Sequence, residues 1–360
     1  MNVEFIDRTR EVRPGEELDV PKLEAYLRFY LPEMHGPLEI EQFHGGHSNL
    51  TYLLRVEERE MVLRRPPFGA KIKTAHDMGR EHHILSHLAP VYPRVPLPLA
   101  YCEDESVLGA PFYIMERITG IILRNTHPEG LDLSTDVMSR LSQAFIQNLA
   151  DIHSVDIQEA GLSDFGRPEG YVERQIKGWT ERYYNAQTDD IQQIDAAAEW
   201  LAQNMPPESG ASLIHNDYKY DNLILDPNDL SNIIGVLDWE MATVGDPLMD
   251  LGTTLGYWVD LDDPPALKAL AFSLTTLPGN LTRIQLAERY AEIRGCDLTH
   301  LLFYFVYALF KIAVIVQQIY ARYKAGYSKD ERFAMMIHVV QVLGDAAARA
   351  IELGRIDRLG

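Results

Sequence analysis

The stretch "SLIHNDYKYDNLILD", residues 212–226, places His215, Asp217, Lys219 and Asn222 between two apolar, strand-forming runs. It continues as "NLILDPNDLSNIIGVLDWE", residues 222–240. "LIL" and "IIGVL" read as strands and "DPNDLSN" as the turn between them, so this segment predicts a β-hairpin. Asn222 stands just before its first strand and Asp238 just after its second. The open end of an antiparallel hairpin brings those two residues together. An amide oxygen beside a carboxylate suits a hard cation such as Mg²⁺. Asp217, on the loop before Asn222, can point to the same place without being a ligand. Lys219 can reach the oxygens of a transferred phosphoryl group. Two metal ligands and a free carboxylate on one loop are the equipment of phosphoryl transfer from a nucleotide. Taken alone, the loop is equally a polar connection with Asx turns; the aspartate after the hairpin is what favours chemistry.

Composition sets the frame around that loop. The chain has 360 residues, 46% of them hydrophobic, enough for a core and more than one domain. Lys and Arg number 33 against 53 Asp and Glu, a net charge of -20, which disfavours nucleic acid or an anionic membrane as partner. Such a surface is compatible with a cationic substrate. Cys102 and Cys296 form no CxxC pair, which argues against a disulfide framework or a cysteine zinc site. The first twenty residues contain no apolar secretory core, so the expected compartment is the cytoplasm. "LLFYFVYALFKIAVIV", 301–316, is shorter than a membrane span and contains Lys311; it reads as a buried helix.

Organisation changes along the chain. "LEIEQFH", "TYLLRV" and "EMVLRRP" read as antiparallel neighbours, "HDMGREHHILSHLA" as a helix, and "APFYIMERI" as a further strand; "PVYPRVPLP" reads as a break. Beyond Gly120 the pattern is mainly helical. Ser134 is placed to cap a helix with Val137, Leu141, Phe145, Leu149 and Ile152 along one side, and helices are expected near 168–186 and 190–203. The expectation is an α+β chain with a small sheet-rich lobe, a hinge near 116–120 and a larger helical lobe.

"HNDYKYDN" followed by "LDWE" and "VGDPLMDLG" resembles the aminoglycoside phosphotransferase family, within the protein-kinase-like superfamily. The likeness runs from about 38 to 345. "MVLRRPPFG", "AHDMGREHHIL" and "RQIKGW" are similar to the branch related to kinase-like domains of some acyl-CoA dehydrogenase proteins. The resemblance implies a bilobal kinase-like fold, with residues 1–118 as nucleotide lobe and 119–360 as catalytic and acceptor lobe. It implies Asp217 as catalytic aspartate, Asn222 and Asp238 as Mg²⁺ ligands, and ATP as donor. His215 would brace the loop, Asp246 would cap a helix with Pro247 behind it, and Asp250 would support the loop.

On the nucleotide side, "FHGGHSNLTYLL" places Gly45 and Gly46 in a turn that admits phosphate closely, with Ser48 and Asn49 as donors; an ordinary glycine hairpin has the same pattern. The strand lysine of kinases falls here on Arg64, expected to pair with Glu81. Arg65, on the opposite strand face, is expected to be exposed. "YIMERITG" matches the hinge, with backbone of Glu116 and Ile118 at the adenine and Met115 lining its pocket.

The acceptor side is less determined. "YVERQIKGWTERYYNAQ" carries Arg174, Lys177 and Arg182 near Trp179, which suits an anionic or nucleotide-like substrate such as an acyl-CoA, or equally a solvated helix face. Trp258 and Asp260 are candidates for the pocket edge, and His153 for a core histidine. The function expected is Mg-ATP-dependent transfer to a hydroxyl of a small molecule, either an aminoglycoside-like cation or a hydroxyacyl-CoA-like alcohol. The alternative is a nucleotide-binding pseudokinase or regulatory module. A protein kinase is disfavoured, because G-x-G-x-x-G and A-P-E are both absent.

Overall fold

The structure, a computed structural model, describes residues 3–32, 34–43, 49–68, 77–327 and 330–360. It is a bilobal α+β fold. The small lobe is built on a five-stranded antiparallel sheet in the order β1-β2-β3-β5-β4: β1 Leu38–Phe43, β2 Leu50–Val56, β3 Arg59–Arg65, β4 Pro98–Cys102 and β5 Phe112–Glu116. Its helices are α1 Val20–Tyr30, α2 Met78–Leu88 and the single turn α3 Glu105–Leu108. Asp19 and Asp77 start α1 and α2 by accepting the backbone N–H of Lys22 and Arg80, which supplies a partner for one orphan donor at each helix start.

Two small-lobe elements depart from the sequence expectation. The stretch read as a break delivers β4 directly after it. The N-terminal segment supplies α1, whose Leu23 and Leu27 pack with Leu54, Leu63 and Ile114 on the far face of the sheet. This covered face buries Arg65, which is 2% exposed rather than solvated. Arg65 donates to the carbonyls of Pro66 (3.1 Å) and Leu108 (2.9 Å), and its guanidinium lies over the Phe68 ring.

The large lobe holds α4 Thr135–His153, α5 Tyr171–Ala186, α6 Gln192–Gln203, β6 Ser212–Ile214, β7 Leu223–Asp226, β8 Asp229–Val236, β9 Thr243–Gly245, α7 Pro247–Tyr257, α8 Pro265–Lys268, α9 Arg283–Arg294, α10 Leu301–Lys324 and α11 Met336–Leu353. Ser134 sits at the N-cap of α4, but its side chain makes no capping bond; its N–H instead donates to Asp132. At 24 residues α10 is longer than its apolar run suggested and has the length and hydropathy of a membrane span. In this fold 78% of that window is buried, packed against α5, α7 and α11. The segment Glu331–Leu353 passes the same test with 33% buried.

One apolar cluster joins the lobes. Val62, Ile84, Leu88, Tyr113 and Met115 from the small lobe share it with Leu141, Phe145, Leu223 and Val236. The crossover is tight. Ile121 and Leu225 exchange backbone bonds at 2.9 and 2.8 Å, and a Cβ on Gly120 would come within 2.5 Å of the Leu225 carbonyl. A side chain there would push the hinge off the hairpin.

Candidate active site

Two short ladders hold the loop that carries Asp217. β6 pairs with β9, so Ile214 faces Thr243, and β7 pairs with β8, so Leu223 faces Val236. The loop 215–222 and the segment after β8 are thereby pinned at both ends, and Leu237 N–H closes on the Asn222 carbonyl at 2.8 Å. Inside the loop the side chains alternate. Tyr218 and Tyr220 are buried; their hydroxyls donate to the Phe145 carbonyl and to Asn280. Asp217 and Lys219 therefore face the other way, toward Tyr257.

Asp217 is the centre of a bonded cluster. Lys219 Nζ donates to its two oxygens at 3.1 and 2.9 Å, and Asn222 Nδ2 donates to its Oδ2 at 2.9 Å and its carbonyl at 2.8 Å. Burial lowers the Lys219 pKa, but Asp217 and Asp221 outweigh it and hold the ammonium above its ordinary value. Lys219 also lies 4.8 Å over the Tyr257 ring. Burial and the Asp217 charge push the Tyr257 phenol well up, so it stays protonated beside that carboxylate.

Asp250, at the start of α7, clamps the front of the loop. Its oxygens accept the N–H groups of His215 and Asn216, both at 2.7 Å, and the ring of His153 at 3.0 Å. Burial disfavours that charge, yet His153, His215 and the loop amides hold its pKa below the ordinary carboxylate range. The clamp matters because Asn216 has φ +66°, a left-handed backbone that costs about 1–2 kcal/mol for a residue with a Cβ. His215 braces the other side, with Nε2 2.9 Å from the Leu237 carbonyl. Asp246 caps α7 by accepting Leu248 N–H and also binds Ser209, with Pro247 in the first turn.

Asp238, also left-handed at φ +66°, faces Arg64 at 3.1 Å. The same guanidinium pairs with Glu81 at 2.6 Å. Burial pushes Asp238 up, but Arg64, His215 and Lys219 together keep it ionised below the usual range. With its Nδ2 committed to Asp217, Asn222 has its Oδ1 left for a cation beside Asp238. Among the described residues no three His, Cys, Asp or Glu side chains form a metal cluster by themselves. A cation here would take the rest of its shell from phosphate and water, as Mg²⁺ commonly does.

Residues 39–285 match the phosphotransferase enzyme family, more than half of the chain. The chain belongs to that family. It is 35% identical over 324 residues to acyl-CoA dehydrogenase family member 10 of Mus musculus, and 36% identical over 346 residues to member 11 of Gallus gallus. Those matches cover 89% and 91% of this chain but 30% and 43% of the relatives, so the chain spans less than half of either. A crystal structure from Ralstonia eutropha, named as a candidate aminoglycoside phosphotransferase, is 30% identical with a TM-score of 0.79, covering 94% of this chain and 99% of that one. An aminoglycoside phosphotransferase solved with AMP-PNP and hygromycin B shares the fold at TM-score 0.59 and 18% identity, with 91% and 98% covered.

In this member of the family the residues expected on the nucleotide side fall unevenly. Gly45, Gly46 and Ser48 lie outside the described residues. Asn49 is described, and its Nδ2 donates to Glu240 at 2.9 Å, tying the residue before β2 to the segment after Asp238. Met115 is buried in the shared cluster. Glu116 N–H donates to the Leu97 carbonyl at 2.8 Å.

The residues expected on the acceptor side separate into two groups. Trp258 is buried, donating to the Leu281 carbonyl, and Asp260 and Asp263 share the buried Arg283. Both residues hold α7 to α9, and neither is among those lining the cavity beside Asn216. Lys177 turns outward to Glu173. Arg174, Arg182 and Trp179 instead line a cavity against Asn216 and Lys311. Sequence reading gave no role to Asn216, Lys311, Tyr257 or Glu240. The loop's polar-aromatic alternation was the available signal for the first; Lys311 carried one too, as a charge inside an apolar run.

Proposed function

We propose that this phosphotransferase moves the γ-phosphoryl group of ATP, with Mg²⁺, to a hydroxyl of a small molecule. The supporting observation is the Asp217 cluster next to the paired Asn222 and Asp238. Asn222 Oδ1 and Asp238 would hold the metal, and Arg64, fixed by Glu81, would hold the donor phosphates. Gly45, Gly46, Ser48 and Asn49 would cover those phosphates, and the Glu116 carbonyl and Ile118 amide would meet the base over Met115. Bound there, Mg²⁺ supplies neutralisation of phosphate charge. Asp217 accepts the acceptor's hydroxyl proton as its oxygen bonds to the γ-phosphorus, while the bond to the β-phosphate oxygen breaks and ADP leaves. Lys219 holds the Asp217 carboxylate in place and faces the phosphoryl oxygens.

In this reading residues 1–118 form the nucleotide lobe, residues 119–360 the catalytic and acceptor lobe, and the working location is the cytoplasm. The acceptor is an aminoglycoside-like cation or a hydroxyacyl-CoA-like alcohol. The test is a metabolite-panel screen for ADP release coupled to ³¹P NMR of the product, with Asp217→Asn as blank. A phosphate ester formed by the wild type alone supports the reading. ATP binding with no acceptor ever phosphorylated would favour a regulatory, non-catalytic module.

A further inference from the structure

α5 turns one face to a cavity of about 360 Å³ whose wall carries Arg167, Arg174, Arg182 and Lys311 around the Trp179 ring. Asn216 of the catalytic loop belongs to the same wall. No carboxylate lines it, and among the described residues none of the four cations is ion-paired. In a chain of net charge -20, four cations concentrated on one small cavity without an acid is a local reversal of sign. Arg167, Arg174 and Arg182 are exposed and Lys311 is buried, so the cavity wall is open to an anion from solvent and attracts it.

Three of the four cations, Lys311, Arg182 and Arg174, are held in position. Lys311 is 1% exposed, and its Nζ donates to the Asn216 carbonyl at 2.9 Å. Burial pulls its ammonium down to about 8 against the opposing pull of Asp250 and Asp217, so the site weakens the charge it holds. An anion beside it would raise that value again. Arg182 lies with its guanidinium 4.6 Å over the Trp179 ring, which leaves the N–H edges to bond a planar or tetrahedral anion. Arg174 is anchored by the carbonyls of Arg167 and Glu169.

We propose that this cavity binds an anionic group of the phosphoryl acceptor, a phosphate or a carboxylate, so that the acceptor is an anionic alcohol and not a polycation. The inference rests on the phosphotransfer reading above and narrows it. Lys311 binds the Asn216 carbonyl, one residue before Asp217, and feels the Asp217 charge, so an acceptor whose anion is held here would extend its hydroxyl toward that carboxylate. A polycationic acceptor would instead meet four like charges.

The test uses the full chain saturated with Mg²⁺ and a non-hydrolysable ATP analogue, so that the nucleotide's own phosphate site is filled. Glycerol 2-phosphate, glycerate, glycerol and serinol, which share a three-carbon frame, are titrated calorimetrically. One or both anions should bind while glycerol and serinol do not, and comparison of the two anions tells phosphate from carboxylate. Arg182→Gln and Lys311→Met should each weaken the anion about 10–100-fold, with circular dichroism confirming that both variants fold. Arg182→Gln, at an exposed position, serves if the buried Lys311 substitution fails to fold. No binding of either anion, equal binding of serinol, or undiminished binding in Arg182→Gln overturns the assignment. Turnover with ATP separates the two ideas. Phosphorylation of serinol in preference to the anions leaves phosphotransfer standing and removes the anion site. Variant-sensitive anion binding without any ATP turnover does the reverse.

Discussion

Arg64 and Glu81 lie 2.6 Å apart, with Glu81 only 1% exposed, and the same guanidinium reaches on to Asp238 at 3.1 Å. One side chain on β3 thus ties the small-lobe helix α2 to the carboxylate at the open end of the large-lobe hairpin. Burial pushes the Glu81 carboxyl up, and Arg64 opposes that rise. A buried ion pair of this kind adds little net stability, but removing one partner costs about 3–5 kcal/mol.

Arg64→Ala should therefore destabilise the fold as well as raise the KM for ATP. Its sign with pH follows from Glu81. A carboxyl whose folded pKa is raised contributes stability that is present below its unfolded value, near 4, and lost as pH rises through the folded value. Without Arg64 that rise is larger, so the deficit in Tm should grow from pH 5 to pH 8. In the Arg64→Ala, Glu81→Gln double variant it should be flat. A deficit of equal size at both pH values would show that Glu81 is not the group left unpaired.

What the sequence revealed depended on how local the determinants were. The hairpin, its turn and the two residues at its open end are set by neighbours in sequence, so Asn222 and Asp238 were legible. Arg64 and Glu81 were legible through resemblance. Arg65 was misread because its environment depends on α1, a helix distant in sequence that covers the sheet's far face. The bonds that bury Trp258 and Asp260 were hidden for a similar reason. Their burial is decided by Arg283 and Leu281, on a segment whose packing no local pattern announces. The cationic cavity needs α5, α10 and the catalytic loop together, and so shows only in three dimensions.

Asp250→Asn should loosen the catalytic loop. The carboxylate accepts two backbone amides and His153, and an amide group there presents a donor to at least one of those donors. The Asp250 pKa is lowered in the fold, so its contribution is present above the unfolded carboxyl value and is lost as pH falls through the folded one. The wild type should lose this stability in acid, and Asp250→Asn should lack that part of the acid transition. At neutral pH the variant should lose about 3 kcal/mol or more. Identical acid unfolding curves for the two proteins would rule the clamp out.

Asp238→Ala should weaken nucleotide binding strongly in the presence of Mg²⁺, and EDTA should weaken it in the wild type. Glu81 keeps Arg64 in place in this variant, so the small lobe should remain folded. Calorimetric titrations of ATP unaffected by either treatment would remove the metal role of the hairpin's open end.

Asp217→Asn tests the catalytic assignment most directly. The carboxylate accepts from Lys219 and Asn222 and stands beside the Tyr257 phenol, so its position is fixed before any substrate arrives. The substitution keeps the shape and removes the charge. Asn222 Nδ2 still finds a carbonyl oxygen on residue 217 and in the backbone, so the metal-side amide should keep its orientation. Lys219 loses its ion pair but keeps the ring of Tyr257. ATP affinity should accordingly stay within a few-fold. Turnover should fall by about 10²–10⁴-fold, the usual worth of a positioned general base, with the loss in kcat and not only in KM. Loss of ATP binding in this variant would make Asp217 a metal ligand or a prop of the loop. Unchanged turnover on every accepted alcohol would leave the carboxylate without a catalytic task, and phosphoryl transfer would then rest on charge neutralisation and positioning alone.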